Sequence, residues 1–492
     1  MQFILILFLA LPIILILYFK TQNPKHAKQE LPPPGPPRLP FIGNMHQFDG
    51  RSPHTYLHRL SKQYGAVMSL KLGFRRLVVI SSAEAVKEVM KSHDAVFSSR
   101  PALAALRRLS YDGLDFAFSP YTETSKEMKK ISTVHLFNTK QVQTFLPIMR
   151  DEASKMVEKI ARDASSSAAT DLSETIMSFA ANTVARIVLG KSYGNFFHLL
   201  HDAEAVLGDL FMEDFLPWLR WIDNLSGMAA KLDKIFQDMD TFCEEVIEEH
   251  MNPNRPKSME GDIIDVMLRM KRDGSASFDI TLDHIKALLV GIIIGGGDGT
   301  ATALEWALTA LMKKPLSMKK VQAEIRQLAG KKEMIDEEDI EKLPYLRAVV
   351  KETLRLFPPG PLLLPRETIK KCSINGYEIE GGTMVYINAW AIARDPTTWE
   401  NADEFLPERF LAAEIDVRGQ NPMVIPFGFG RRGCPGIGMG MSAIELALAN
   451  VLHKFEWELP HGMKEEDIDF DSEPGFGLHK KNALRLVAKV VM

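Results

Sequence analysis

Cysteine is scarce in this chain. There are three in 492 residues: Cys243, Cys372 and Cys434. They are odd in number, far apart and without C-x-x-C spacing. That argues against a disulfide framework and for a reducing compartment. A basic surplus is missing too: 59 Lys and Arg stand against 63 Asp and Glu, a net charge of −4. No basic domain stands out, so nucleic acid is not an expected partner. Internal repeats and a clean break between domains are also lacking. What remains is ordinary globular composition, 46% hydrophobic and 25% charged, on a chain long enough for a large core.

Charge is absent from one long run near the start. "FILILFLALPIILILYF", residues 3–19, is uninterrupted apolar sequence. As a helix it would be about 26 Å long, which suits a bilayer of about 27 Å such as the endoplasmic reticulum's. A cleaved signal peptide needs a basic segment before the apolar run and a small-x-small site after it. Here Lys20, Lys25 and Lys28 follow the run. The reading is therefore a single-pass anchor with the body of the protein in the cytosol. "LPPPGPPRLPFIGN", residues 31–44, is a proline-rich, semi-rigid spacer. The expected organisation is a transmembrane anchor over 1–20, a hinge over 21–43 and a globular body over 44–492.

Within the body, "VMSLKLG" and "RRLVVISS" read as a hairpin about Gly73. From Ala83 to about Leu356 the pattern is mainly helical, with loops at 164–169 and 252–262. "MVYINAW" (384–390) and the C-terminal "GFGLHKKNALRLVAKVV" read as strands. The fold class expected is mainly α with small β-sheets, one globular domain behind the anchor.

Two stretches break their local rules. "IIIGGGDGTATALEWAL" (292–308) is apolar and helical, yet four glycines surround Asp298. Each glycine costs roughly 1 kcal/mol against alanine there, so something must approach the backbone closely. "MVIPFGFGRRGCPGIGMGMSAIELALANVLHKF" (423–455) runs into a glycine-rich loop and then a helix starting near Gly436. "GFGRRG" fits a dinucleotide fingerprint, but no βαβ unit with a following acid is visible after it. Cys434 sits in that loop, where a helix N-terminus favours a thiolate. With no His or Cys neighbour it cannot build a zinc site. It can be the single axial ligand of a haem iron. The bland reading, a small buried hydrophobe, suits Cys243 and Cys372.

"FGFGRRGCPG" matches the F-x-x-G-x-R-x-C-x-G signature of cytochromes P-450, and "ETLR" (352–355) and "PERF" (407–410) precede it in the family's order. With "PPGPP", "FSSRP" and "YLRAVVKETLRLFPPGPLLLPRE", the chain resembles plant microsomal members of the clan that includes families 71, 76 and 83. The likeness runs from anchor to C-terminus. It implies haem b (iron protoporphyrin IX) ligated by Cys434, with Phe427 and Gly436 in the cofactor loop. It implies a buried triad of Glu352, Arg355 and Arg409. Electrons would come from NADPH through NADPH–cytochrome P-450 reductase, at the endoplasmic reticulum membrane. The product would be an oxidised small lipophilic metabolite of plant specialised type, made with O2.

Two departures from the family pattern stand out. The family's threonine after the acid falls at Gly299, so the resemblance leaves Asp298, Thr300 and Thr302 as the acid–alcohol set. The usual W-R-x-x-x-R has become Ser125, Lys126 and Lys129 in "YTETSKEMKKI". A lysine lacks the bidentate fork of arginine, so Arg432 and Arg366 are the better propionate partners, with Lys126 and Lys129 beside them. Lys126, Lys129, Lys130 and Arg431 also read as a docking face for an acidic electron donor. Substrate contacts would come from 101–113, Val290, Ile294, 360–364 and 473–478. Gly299 keeps a rearrangement or oxidative coupling open as an alternative. A non-catalytic haem sensor or carrier is the alternative from another class.

Overall fold

The computed structural model describes residues 31–491 apart from 166–168, 195, 257–260, 414, 474 and 476. The expected membrane anchor and the first part of the hinge lie outside the described residues.

Among the described residues, nine strands form three small groups. They are β1 (Val67–Leu72), β2 (Arg75–Ile80), β3 (Thr170–Asp171), β4 (Arg366–Glu367), β5 (Cys372–Ile374), β6 (Tyr377–Ile379), β7 (Met384–Ile387), β8 (Phe455–Glu458) and β9 (Arg485–Val490). The main sheet runs β1-β2-β7-β4, with β1 antiparallel to β2 and β2 parallel to β7. The expected hairpin is β1–β2. Its turn needs Gly73, at φ 56°, where a Cβ would stand 2.2 Å from the Phe215 carbonyl oxygen. β9 lies between β3 and β8, and β5–β6 is a separate hairpin.

Two strand expectations shrink. The strand at 384 stops at Ile387, because the Asn388 side chain accepts from the Ala391 N–H at 3.0 Å and starts a helical turn over Ala389–Ile392. At the C-terminus only Arg485–Val490 is strand; residues 477–484 form a loop with a lone bridge at Lys480.

Helices supply the bulk. Seven matter for the site: α1 (Glu123–Ile131), α2 (Thr139–Ser165), α3 (Leu172–Leu189), α4 (Phe196–Leu207), α5 (Leu282–Met312), α6 (Pro344–Leu356) and α7 (Ile437–Lys454). α1 opens with a capping box: the Thr122 hydroxyl accepts from the Ser125 N–H at 3.1 Å and Ser125 returns the bond at 3.0 Å. α5 opens with Thr281 paired to His284 in the same way. α5 is 31 residues long and buried on almost every face, as an all-round apolar helix must be. Among the described residues it alone is long and apolar enough to cross a membrane, but 78% of its most apolar stretch is buried inside the protein, so it is a core helix. Its neighbours are α3, α6 and α7, and their apolar faces form the principal core.

Candidate active site

The Cys434 loop folds back on itself before α7. The Cys434 N–H donates to the Phe427 carbonyl at 2.9 Å. From the side, the Lys129 ammonium of α1 donates to the carbonyls of Arg431 at 2.6 Å and Gly433 at 2.8 Å. The loop is thus pinned at both ends. Its cysteine faces a cavity of about 690 Å³, whose walls include Phe427, Gly436, Arg432, Arg366 and Lys129. The sulfur is open to that cavity while protein surrounds it on its other sides. Burial pushes the thiol up, against the Gly436 N–H and the Lys129 charge. The helix terminus alone therefore does not make the expected thiolate; a bound metal would, since a coordinating thiol is deprotonated outright.

One edge of the cavity concentrates positive charge. Arg100 donates to the carbonyls of Ala117 at 3.0 Å, Leu364 at 2.7 Å and Pro365 at 2.9 Å. Arg432 donates to the carbonyls of Ser98, Phe116 and Ser119. Arg366 donates to the Phe429 carbonyl at 2.9 Å and lies 3.7 Å from Asp94. Burial, and then the neighbouring cations, depress these groups: Arg100 falls well below its usual value, and Lys129 drops to about 8. Burial brings Arg366 and Arg432 to about 10, against the opposing pull of Asp94 and Asp115 respectively. Buried like charges of this kind call for an anion. A haem with two propionates meets that demand, and its iron meets the single sulfur. The residues fit the group.

α5 lines another wall with Gly295, Gly296, Asp298, Gly299, Thr300 and Thr302. The glycines that broke the helix pattern divide their roles. A Cβ at Gly295 would meet nothing within 4 Å, and one at Gly299 would meet only Pro359 Cβ at 3.9 Å, so both leave room. A Cβ at Gly297 would stand 2.9 Å from Leu200 of α4, and one at Gly296 would stand 3.1 Å from Val184 of α3. Those two let helices close on α5. The Thr300 hydroxyl donates to its own helix, at 3.3 Å from the Gly296 carbonyl. Thr302 instead donates to Asp298 Oδ1 at 3.4 Å.

Behind the site, Glu352 and Arg355 are both fully buried and doubly bonded, at 2.7 and 2.9 Å. Arg409 completes the triad at 3.0 Å from Glu352 Oε1, which also accepts from the Leu406 N–H at 2.8 Å. This ties α6 to the segment leading into the Cys434 loop. A second cavity of about 700 Å³ lies by Trp306 and Arg394, but none of its lining residues is a cysteine.

Some expected residues fall elsewhere. Lys126 faces solvent, 2.6 Å from Glu123 and over the Tyr121 ring, and does not line the cavity. One turn of helix separates it from Lys129, which does. Segment 101–113 is also absent from the lining; Phe116, Ala117 and Phe118 take its place. Its helix, Ala104–Leu109, buries Ala104, Ala105, Leu106 and Leu109 in the core. Of the other substrate positions, Ile294, Gly360, Leu363, Leu364, Glu473, Gly475 and Gly477 line the cavity, and Val290 does not. The lining residues that sequence reasoning missed include the titratable Arg100, Glu204 and His479. Arg100 lay inside the quoted "FSSRP", where it carried no assigned role.

A thiol on one wall, a cationic edge and a glycine-gapped helix in one cavity form the arrangement that the Cys-loop signature anticipates. Residues 33–487 match the model of the family described as Cytochrome P450. The chain belongs to the cytochrome P450 family. It is 44% identical over 503 residues to 6,7,8-trihydroxycoumarin synthase of Pastinaca sativa, covering 99% of both chains. It is 43% identical over 497 residues to cytochrome P450 71A9 of Glycine max, again covering 99% of both. Among solved structures, a zebra fish cytochrome P450 with abiraterone is similar at a TM-score of 0.74 and 25% identity, over 89% of this chain and 100% of that one. The chain is thus a P450 monooxygenase with a haem-thiolate iron cofactor, an electron-supplying redox partner, O2 and a small substrate.

Proposed function

We propose that this enzyme uses haem b to hydroxylate a small lipophilic plant-type specialised metabolite, with NADPH electrons passed on by NADPH–cytochrome P-450 reductase. The observation that carries the reading is the single cavity joining Cys434 to the buried cations Arg100 and Arg366 and the partly buried Arg432 and Lys129. Cys434 holds the iron. Arg100, Arg366 and Arg432 hold the propionates, with Lys129 tying the loop beneath. When bound, the haem supplies the reductive activation of dioxygen. Asp298 and Thr302 move protons to the cavity. Ile292, Ile294, Leu363 and Phe118 exclude water and favour an apolar ligand. The trihydroxycoumarin product of a relative at 44% identity makes oxygenated aromatic lactones the first class to try.

The protein is also expected at the endoplasmic reticulum membrane, single-pass, with its body in the cytosol. Exposed Phe74, Trp218, Trp221 and Leu225 support a membrane-facing surface. Phe74 and Trp218 meet edge-on at 4.5 Å, so part of that apolar surface is contiguous.

The test is the purified holoprotein with reductase, NADPH and a panel of coumarins and other lipophilic metabolites under ¹⁸O2. A binder will displace iron-bound water, seen as a spectral shift, and its product will gain one labelled oxygen. A binder converted without label uptake would instead favour rearrangement or coupling. Binding without any NADPH turnover would favour a sensor or carrier.

A further inference from the structure

Asp298 is not alone in the wall of α5. Its Oδ1 lies 3.0 Å from Nε2 of His479, on the C-terminal loop, as well as 3.4 Å from the Thr302 hydroxyl. The loop is fastened so that this meeting occurs. The Leu478 N–H donates to the Pro359 carbonyl at 2.9 Å, and the Trp306 indole N–H donates to the Leu478 carbonyl at 2.6 Å. Trp306 is itself stacked on Phe357, with ring centroids 4.6 Å apart. At Gly477 a Cβ would come within 2.8 Å of His479 Nε2 and 3.1 Å of Asp298 Oδ2, so the approach needs glycine there. The His479 side chain is 29% exposed and that of Asp298 16%, so both stay open to water where they line the cavity wall.

Other routes into the cavity are poorer. Gly299 has no hydroxyl, and the Thr300 hydroxyl is held by Gly296. Three other charged or titratable groups surround the imidazole: Glu204 of α4, Glu305 of α5 and Lys480 beside it. Burial, and then the Asp298 charge, push the Glu204 carboxyl up, and burial pushes Asp298 up as well, so the two carboxyls favour holding a proton between them.

We propose that His479 is the proton-relay partner of Asp298, a positioning residue that acts on the reaction through that carboxylate. The inference rests on the monooxygenase activity, which consumes R–H, O2, two electrons and two protons and yields R–OH and H2O. The electrons come from the redox partner. For each proton, His479 accepts one from solvent at Nδ1 and gives one from Nε2 to Asp298 Oδ1. Asp298 releases a proton to the cavity, directly or through Thr302, and regains its charge. Exchange with water, in which Nδ1 loses its proton and Nε2 gains one, restores the starting tautomer with no net change in protons. Two such cycles deliver both protons.

His479→Gln and His479→Phe test this in the holoprotein. Glutamine keeps an N–H donor for Asp298 but cannot relay. Both variants should divert NADPH from product to hydrogen peroxide, lowering the coupled fraction on the order of tenfold. That is below the roughly 10²-fold or more of a positioned proton donor, because water also reaches this partly exposed site. Turnover driven by added peroxide, which brings reduced oxygen with its protons, should stay near the wild-type rate. A second readout is independent of turnover. The infrared carboxyl band missing from Asp298→Asn should titrate at higher pH in both variants, because burial raises that carboxyl's pKa and the His479 charge partly offsets the rise. Wild-type coupling in His479→Gln would overturn the proposal, leaving only a hydrogen bond. Equal loss of peroxide-driven turnover would overturn it by making His479 part of the cavity's shape, and an unmoved Asp298 titration would also do so. In each case the carbon monoxide band of the reduced protein reports whether the haem-thiolate assignment itself still stands.

Discussion

Arg100 is held on three backbone carbonyls and pressed against Arg366 and Arg432, so its charge is unfavourable until an anion arrives. A hydrogen bond to a charged group contributes about 1.5–3 kcal/mol. Arg100→Gln should therefore speed haem loss to an acceptor protein by about tenfold or more, at 1.4 kcal/mol per decade. Lys126→Gln should not change that rate, because Lys126 points to solvent; a matching increase would return it to the cofactor's neighbourhood. Cys434→Ser should abolish the red-shifted carbon monoxide band of the reduced protein, since no other residue of the loop supplies a thiolate. Survival of the band would remove Cys434 as ligand. The sequence pointed to Cys434 because a lone cysteine in a glycine-rich turn is chemically odd. Arg100 and His479 were not legible in the same way. An arginine before a proline and a histidine between two loop segments become informative only when folding places them against distant partners, Leu364 and Asp298.

α5 shows what an element adds to its residues. Its glycines were visible as a violation of helix propensity, but not which face each occupied. Gly297 packs where Leu200 crosses, so Gly297→Ala must push the Leu200 methyl aside; the overpacking of about 1–3 kcal/mol is offset by about 1 kcal/mol of helix propensity, for a net loss of at most about 2 kcal/mol in a denaturant melt. Gly299 faces the cavity, where an added Cβ would meet only Pro359 Cβ at 3.9 Å, so alanine fits and threonine would extend into the cavity. Gly299→Thr should raise the fraction of NADPH ending in product, and Gly299→Ala should not. Equal losses with both would mean that the glycine is there for substrate room. The buried Glu352–Arg355–Arg409 knot works between elements. Glu352→Gln leaves two guanidiniums short of charge and should destabilise by about 3–5 kcal/mol, read as a lowered midpoint and weakened haem retention. Helices and the first hairpin were legible because their periodicities are local. The ends of the strands at 384 and 477 were not, because an Asn388 cap and a loop fastened by Trp306 decide them.

For the whole molecule, the question is how electrons reach a buried site from a protein of net charge −4. The expected docking face carries Lys126, Lys129, Lys130 and Arg431, but folding has spent these charges unequally. Lys129 is turned inward onto the Cys434 loop carbonyls. Lys126 pairs with Glu123 at 2.6 Å, Lys130 with Glu127 at 3.4 Å, and Arg431 with Asp94 at 3.5 Å. Exposed pairs of this kind are worth about 0–1 kcal/mol, so an acidic partner can displace the local carboxylates at small cost. Lys130 and Arg431 are the most exposed of these four cations, at 67% and 54%. Arg431 also precedes Arg432 in the loop that holds Cys434, so a partner seated there would lie close to the site. Reversing the charge at both, Lys130→Glu with Arg431→Glu, should raise the reductase concentration needed for half-maximal turnover by about tenfold, mostly through slower association. Added salt should weaken the wild type in the same direction and the double variant much less. Peroxide-driven turnover bypasses the donor and should not change in either. A double variant that loses peroxide-driven and reductase-driven turnover together would show that these residues support the Cys434 loop, and the electron donor would have to be sought on another face.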